Sequence, residues 1–249
     1  MSVLLADIPE HARLMSKLRA IADVPASEAD ALLGLEVNVR EFERGVDMVR
    51  EHDRPSHSCL LLSGTVARYK TLPDGGRQIM SFNIAGDIPD LQALHLGQQD
   101  HSIGVLRPTR IAAIKHDDLR RVIYANPTVC HLLWRDTLIE GAIHREWMMA
   151  IGRLDARARI AHLFCELFLK HAAAGLTSGT SFRLQLTQTE LGDALGLTPV
   201  HVNRVLQELR AERLIQLDRS DLTVLDYDRL QDAGAFDPTY LHMKIPELG

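Results

Sequence analysis

Cysteine is scarce in this sequence. Three cysteines, at positions 59, 130 and 165, are spread over 249 residues. An odd and widely spaced set predicts reduced thiols in a cytoplasmic protein rather than a disulfide framework. It also offers no closely spaced group of thiols for a zinc site or a four-cysteine iron–sulfur cluster. We therefore expect no metal site built on cysteine.

Long hydrophobic runs and an excess of positive charge are missing too. No segment of the sequence approaches the ~18 consecutive apolar residues of a membrane-spanning helix. The start, MSVLLADIPEHARLM, lacks the basic region and the apolar run of a secretory signal. The formal net charge is −5, so no overall positive field attracts nucleic acid, and DNA contacts would require a local patch. We expect a cytoplasmic chain with no membrane partner.

Signatures of catalysis are also lacking. The sequence contains no phosphate-binding glycine loop, no nucleophile elbow and no His-x-His pair of the kind that jelly-roll metalloenzymes use. Its twelve histidines are dispersed along the chain. We expect no enzymatic activity and no metal centre, and a jelly-roll enzyme remains the least favoured alternative.

The first half of the chain has the pattern of short β-strands. Pro73 and the glycines of LPDGG (72–76) predict a hairpin turn, and Ser63-Gly64 predicts another turn. The predicted strands are Cys59–Leu62, Val66–Lys70, the alternating segment that includes Met80, Phe82 and Ile84, Ile103–Val105 and Ile111–Ile114. Several short strands at this spacing indicate a β-sandwich or jelly roll.

After Asn126-Pro127 the apolar period becomes helical for more than 25 residues. The recurring apolar residues are Leu132, Leu133, Ile139, Ala142, Ile143, Trp147, Ala150, Ile151 and Leu154. A helix over 127–152 exceeds the usual length of about 11–12 residues. With no second helix in the chain to cover the seam, the pattern favours a coiled coil between two protomers. The alternative is a helix that packs on its own domain.

A helix-turn-helix pattern follows in the second half. Thr187 and Glu190 have the spacing of a capping box, and Gly196 stands at the turn. Thr198 is suited to cap the second helix, with Pro199 at its first position. The apolar stripe of this helix is Val202, Val205, Leu206 and Leu209. Residues 213–226 then predict a hairpin with its turn at 218–221.

The polar face of the second helix, residues 198–209, has the chemistry of a DNA-reading surface. Arg204 can donate two hydrogen bonds to guanine, and Asn203 can pair with adenine. Thr187, Gln188 and the helix amides suit phosphate oxygens. The predicted DNA-contacting residues are Thr187, Gln188, Thr198, Pro199, Val200, His201, Asn203 and Arg204. The alternatives are a solvated polar face or a protein-interaction module.

Three segments carry a family resemblance. LTQTELGDALGLTPVHVNRVLQELRAERLI resembles the winged helix-turn-helix of the Crp/Fnr superfamily of bacterial transcription regulators. GTVARYKTLPDGGRQIMSFNIAGDI resembles the cyclic-nucleotide-binding-like sensor domain of that family, and ANPTVCHLL with the long helix resembles its dimerisation helix. The resemblance covers roughly residues 25–230.

The resemblance implies an α+β protein with a jelly-roll sensor domain over residues 1–126, a dimerisation helix over 127–152 and a winged helix-turn-helix domain over 153–249. It also implies a homodimer that binds a near-palindromic operator in double-stranded DNA. A small-molecule effector would control the dimer, and RNA polymerase would be a further partner.

Two departures from the family pattern limit what the resemblance implies. Val200 stands where many members hold a glutamate, so we expect the base pair beside the Arg204 guanine to be read differently or by DNA shape. In the sensor, Pro89-Asp90 replaces the Gly-Glu pair that holds ribose, and His101-Ser102 replaces the Arg-Ser pair that holds phosphate. Asp90, His101 and Ser102 are therefore the candidate effector-pocket residues, and we do not expect cyclic AMP as the effector.

No cofactor is assigned from the sequence. The alternative within the same architecture is a haem-sensing regulator, with His95 or His101 as axial ligand, or a redox-sensing one that uses a cysteine.

Overall fold

The computed structural model describes residues 2–244 and has the expected α+β architecture. The chain forms two compact units. The first contains the residues up to Lys70 together with Ser81–Gly141, and the second contains Thr71–Met80 and the residues from Ala142 onward. Over residues 2–244, no helix combines the length and the apolar character needed to cross a membrane.

The first unit is built around an antiparallel sheet. Its strands are β1 (Ser2–Leu4), β2 (Glu36–Phe42), β3 (Asp47–Val49), β4 (His57–Thr71), β5 (Arg77–Ile84) and β6 (Ser102–Lys115). They pair in the order β1-β2-β6-β4-β5, and β3 pairs with β6. A buried apolar cluster on these strands contains Val49, Cys59, Leu61, Val66, Ile103, Val105, Ile111 and Ala113.

β4 and β6 correct two details of the strand prediction. The turn predicted at Ser63-Gly64 lies inside the continuous strand β4, and the two strands predicted at 103–105 and 111–114 are parts of β6. The β4–β6 register shifts several times between Leu61 and Val66, so bulges bend the pair without ending it. Gly64 has φ +91°, and a side chain there would overlap Thr109, which is why the bulge needs glycine.

The first unit also contains helices, and the last of them continues into the second unit. They are α1 (His11–Ile21), α2 (Ala26–Leu33), α3 (Ala93–Leu96), α4 (His116–Ala125) and the long α5 (Pro127–Arg153). The hairpin turn predicted at 72–76 is confirmed between β4 and β5, with Gly75 at φ +84°. The long helix begins where Asn126-Pro127 predicted and ends one residue beyond the predicted limit.

The apolar seam of α5 is buried within the protomer. Leu132, Ile139 and Ile143 are 1%, 4% and 2% exposed. The prediction that the chain itself leaves this seam uncovered was therefore wrong, because contacts between residues distant in sequence bury it. The large apolar residues that α5 exposes are Trp134 and Leu138, at 63% and 58%, with Met148 and Met149 further along.

The second unit combines helices with a small sheet. Its elements are α6 (Ala156–Ala173), β7 (Thr177–Ser178), β8 (Ser181–Arg183), α7 (Gln188–Leu195), α8 (Pro199–Ala211), β9 (Ile215–Asp218), β10 (Asp221–Val224) and α9 (Tyr227–Ala233). The sheet order is β7-β8-β10-β9, and β9 and β10 form the predicted hairpin. This hairpin follows α8 directly, in the position of the wing of a winged helix-turn-helix.

Candidate nucleic-acid interface

Local capping fixes both helices of the helix-turn-helix. The Thr187 hydroxyl oxygen accepts a hydrogen bond from the Glu190 amide at 3.1 Å, and the Glu190 carboxylate accepts one from the Thr187 amide at 2.7 Å. The Thr198 hydroxyl caps α8 by accepting from the His201 amide at 3.3 Å. Each cap of this kind stabilises a helix by roughly 1 kcal/mol. The capping box and the Thr198 cap confirm the sequence prediction.

The turn between α7 and α8 depends on two glycines. Gly196 ends α7 at φ +66°, a left-handed conformation that favours glycine. Gly192 is a residue that the sequence analysis missed. A Cβ on it would lie 2.5 Å from the Leu197 carbonyl oxygen, and the Leu197 amide donates to the Gly192 carbonyl oxygen at 3.1 Å. The turn therefore packs directly against the α7 backbone.

The apolar stripe of α8 anchors the helix in the second unit. Val202, Val205, Leu206 and Leu209 are at most 5% exposed, as predicted. The opposite face is open, and Val200 is 81% exposed. Thr198, Pro199, Asn203 and Arg204 are exposed with it, and His201 is half-buried. An exposed surface of this kind on a buried helix fits insertion into a major groove.

Arg204 is held in position by two neighbours on α8. Its Nη2 donates to His201 Nε2 at 2.8 Å, and its Nε lies 3.7 Å from the Glu208 carboxylate. The Arg204 side chain is 66% exposed. Exposed ion pairs are weak, so the guanidinium can exchange Glu208 for a guanine edge without a large penalty.

Three further positions complete this surface. Gln188 is exposed at the start of α7, next to the half-buried Thr187. Gln207 is exposed and lies two turns beyond Val200 on the same side of α8. The sequence analysis omitted Gln207, although its seven-residue spacing from Val200 indicates the shared face, and a glutamine can pair with adenine.

The predicted effector residues contact their own chain. Asp90 is fully buried, and its Oδ1 accepts from the Cys59 amide at 2.7 Å. Ser102 Oγ accepts from the Glu51 amide at 3.0 Å. Burial raises the pKa of Asp90 because it penalises the carboxylate. The sequence could not reveal these contacts, since the partners lie 31 and 51 residues away.

Both ring nitrogens of His101 have partners. Nδ1 donates to the Asp100 carboxylate at 2.7 Å, and Nε2 is 3.4 Å from the Gln92 amide nitrogen. Burial and then the Arg68 guanidinium lower the pKa of His101, which favours the neutral ring. His95, the other histidine considered for haem, is exposed on α3.

Buried ion pairs link α5 to the rest of the first unit. Arg68, 6% exposed, donates from Nη1 to Glu140 of α5 at 2.8 Å and from Nε to the Pro89 carbonyl oxygen at 2.7 Å. Lys17 of α1 lies 2.8 Å from the Asp87 carboxylate and 2.9 Å from that of Asp136 on α5. Arg68, whose charge acts on both Asp90 and His101, is thus already paired with a carboxylate.

The cysteines differ in exposure. Cys59 and Cys165 are buried, and Cys130 is exposed on α5. Burial raises the pKa of the Cys59 and Cys165 thiols, so neither has the thiolate character of a redox sensor.

Comparison with known families identifies both parts of the chain. Residues 158–233 match the family described as Crp-like helix-turn-helix domain. Residues 39–126 match the family described as Cyclic nucleotide-binding domain. Together the two matches span more than half of the 249 residues, in the order sensor and then helix-turn-helix.

Individual relatives agree with this assignment. The chain is 28% identical over 193 residues to the "Probable transcriptional activator" of Rhizobium leguminosarum bv. viciae, covering 77% of this chain and 79% of the relative. It is 27% identical over 202 residues to Transcriptional activator protein FnrL of Cereibacter sphaeroides, covering 78% and 80%. The structure of FixK2 from Bradyrhizobium japonicum has the same fold, with a TM-score of 0.71 at 23% identity over 79% of this chain and 96% of that one. The chain therefore belongs to the Crp/Fnr superfamily of DNA-binding transcription regulators.

Proposed function

We propose that this regulator is a homodimer that binds a near-palindromic operator in double-stranded DNA under the control of a small effector. The observation that carries the proposal is α8 itself. Its apolar stripe is buried, its start is capped by Thr198, and its outer face presents Arg204 in the open. The proposed activity is binding and includes no catalytic step.

The chemistry of α8 suggests how bases are read. Arg204 reaches guanine O6 and N7 once it leaves Glu208, and Asn203 and Gln207 supply amides for adenine. Val200 offers only apolar contact, for example to a thymine methyl group. Thr187 and Gln188 at the start of α7 position the unit on phosphates, because a helix N-terminus attracts anions.

The outer face of α5 supports the homodimer. Trp134 and Leu138 are large apolar side chains, and both are more than half exposed. Their four-residue spacing places them on one side of the helix, where a second copy of α5 would bury them. Dimerisation would present two α8 helices to successive major grooves, about 34 Å apart.

The effector is a separate part of the proposal. We do not expect cyclic AMP, because His101 stands where cyclic-AMP binders of the family hold an arginine, and Arg68 is committed to Glu140. An uncharged histidine lacks the bidentate cation that captures phosphate. For a regulator that activates transcription, contact with RNA polymerase would follow DNA binding.

The test of DNA reading is a gel-shift titration with Arg204→Ala against an operator selected for the native protein. We expect the Kd to rise about 5- to 150-fold, since a bidentate arginine–guanine pair contributes ~1–3 kcal/mol. Arg121→Ala is the matched control, because it removes the same charge from an exposed position on α4 and should leave the Kd unchanged. Equal operator affinity of R204A and the native protein would refute the docking of α8.

A further inference from the structure

The first unit contains a cavity that the proposed DNA contacts do not use. Its volume is about 410 Å³, and it lies between the α3 segment, α4 and the N-terminal part of α5. Its inner wall is apolar, formed by the buried side chains of Leu94, Ile123 and Leu133. Leu96 and Trp134, which are 71% and 63% exposed, form its rim.

The cavity lacks charged side chains. No lysine, arginine, aspartate or glutamate of the described chain lines it, and the imidazole of His95 is exposed to solvent. An ion that entered would lose its hydration without gaining an ion pair, so the wall selects against anions such as phosphate esters. A cavity of ~150 Å³ holds benzene, and ligand sites generally measure ~300–1,000 Å³, so this one fits a molecule with two or three rings.

Gln92 supplies a polar anchor in the wall. Its Nε2 donates to the Gln99 Oε1 at 3.2 Å and points toward His101 Nε2 at 3.4 Å. Both contacts use Nε2 and thereby fix the orientation of the amide. Gln92 Oε1 accepts no hydrogen bond from the described part of the chain, so it remains available to a ligand. Two other polar residues line the wall. Thr137 donates its hydroxyl to the Leu133 carbonyl oxygen of its own helix, and His95 is exposed on α3. The anchor therefore suits a ligand with one N–H or O–H donor.

We propose that this cavity is a binding site for an uncharged, mostly apolar molecule of two or three rings that carries one hydrogen-bond donor. Asp90, His101 and Ser102 do not line it, so it is distinct from the effector pocket predicted by family resemblance. A ligand there would touch α5 beside Trp134, on the helix assigned to the dimer. The role of this cavity as the effector site rests on the proposed function, but its ability to bind such a molecule does not.

The test uses N-phenyl-1-naphthylamine, an uncharged two-part aromatic amine whose fluorescence rises in apolar surroundings. We expect saturable binding to the full-length protein. The matched probe, 8-anilinonaphthalene-1-sulfonate, has the same rings and one negative charge, and we expect its Kd to be at least ~10-fold higher because the cavity has no cation. Equal or tighter binding of the sulfonate would overturn the proposal.

Cys130 locates the bound probe. It lines the cavity and is exposed, whereas Cys59 and Cys165 are buried, so a maleimide should modify Cys130 selectively. Saturating N-phenyl-1-naphthylamine should slow this modification several-fold, as followed by intact mass. Unchanged modification despite probe binding would place the probe elsewhere and overturn the proposal.

Variants at the rim and anchor complete the test. Leu96→Arg places a charge at the rim from a largely exposed position that folding tolerates, and we expect at least a ~10-fold loss of probe affinity. Gln92→Leu should weaken binding about 2–10-fold, the value of one hydrogen bond. Leu4→Arg, at an exposed position on β1, is the matched control and should bind as the native protein does.

Two other results would overturn the proposal. A Soret band in the purified protein that His95→Ala abolishes would show that haem occupies this cavity, because His95 lines it. Absence of probe binding, together with a Cys130 that resists the maleimide, would show that a second copy of the chain fills the cavity. Arg204→Ala separates this inference from the proposed function, because it should lose operator binding and retain probe binding.

Discussion

At the scale of single residues, the buried charge of Lys17 has the largest expected effect on stability. Its ammonium is 9% exposed and lies within 3 Å of carboxylates from two other segments, those of Asp87 and Asp136. Burial lowers the pKa of Lys17, but Asp136 and Asp87 raise it further, so the lysine stays charged. Two carboxylates depend on this one cation.

We expect Lys17→Met to lower the free energy of unfolding by about 3–5 kcal/mol, because removing one member leaves buried charge uncompensated. Burial already raises the pKa of Asp136, and loss of Lys17 should raise it more. A carboxyl group whose pKa is higher in the folded than in the unfolded protein favours folding while it is protonated. This contribution to the free energy of unfolding is lost as the pH rises through the folded pKa. The deficit measured by urea unfolding should therefore be larger at pH 8 than at pH 5.

The control is Lys70→Met, because Lys70 also pairs with a carboxylate, Glu51, but on the surface. We expect little or no change in its urea midpoint. Equal losses of unfolding free energy in K17M and K70M would show that the buried ion pairs of Lys17 with Asp87 and Asp136 do not stabilise the fold.

At the scale of elements, α7 can pack against the following turn only because residue 192 is a glycine. Gly192→Ala would press a methyl group against the Leu197 carbonyl, and we expect a loss of ~1–3 kcal/mol with weaker operator binding. Gly152→Ala is the matched helical control, since nothing lies within 4 Å of its Cβ position. It should be neutral or stabilising by up to ~1 kcal/mol. Thermal unfolding compares them, and a G192A protein as stable as G152A would contradict this packing.

Local chemistry explains which elements the sequence predicts well. The caps at Thr187 and Thr198 involve partners three residues away, and the hairpin turn at 72–76 is defined by its own residues. The buried stripe of α8 follows from helical spacing alone. These features, with the family resemblance, were sufficient to predict which face of α8 is exposed, and we propose that this face reads DNA.

Contacts between distant residues explain what was missed. The bulges that keep β4 and β6 continuous arise only when the two strands pair. The sequence analysis assigned no element to residues 11–21, although α1 supplies Lys17 to the buried cluster. By family resemblance Asp90 has the position of a ligand-binding residue, yet its carboxylate accepts a hydrogen bond from the Cys59 amide. In each case the partner lies 30 or more residues away.

At the scale of the whole molecule, dimerisation is the condition for operator recognition. We expect Leu138→Glu to weaken the dimer at least about tenfold, ~1.4 kcal/mol, because it places a charge in the proposed α5 contact. Sedimentation equilibrium measures this change. Leu4→Glu, at a similarly exposed position on β1, should leave the dimer intact. A native protein that is monomeric at all concentrations would contradict the proposed assembly.

The central claim is that two copies of α8 read two half-sites of one operator. Selection of bound DNA from a random pool, with the full-length protein, tests this directly. We expect two inverted half-sites whose centres lie about 10 base pairs, ~34 Å, apart or a multiple of that distance, each containing a guanine that R204A no longer selects. Enrichment of a single unpaired half-site, or of no sequence at all, would contradict the account.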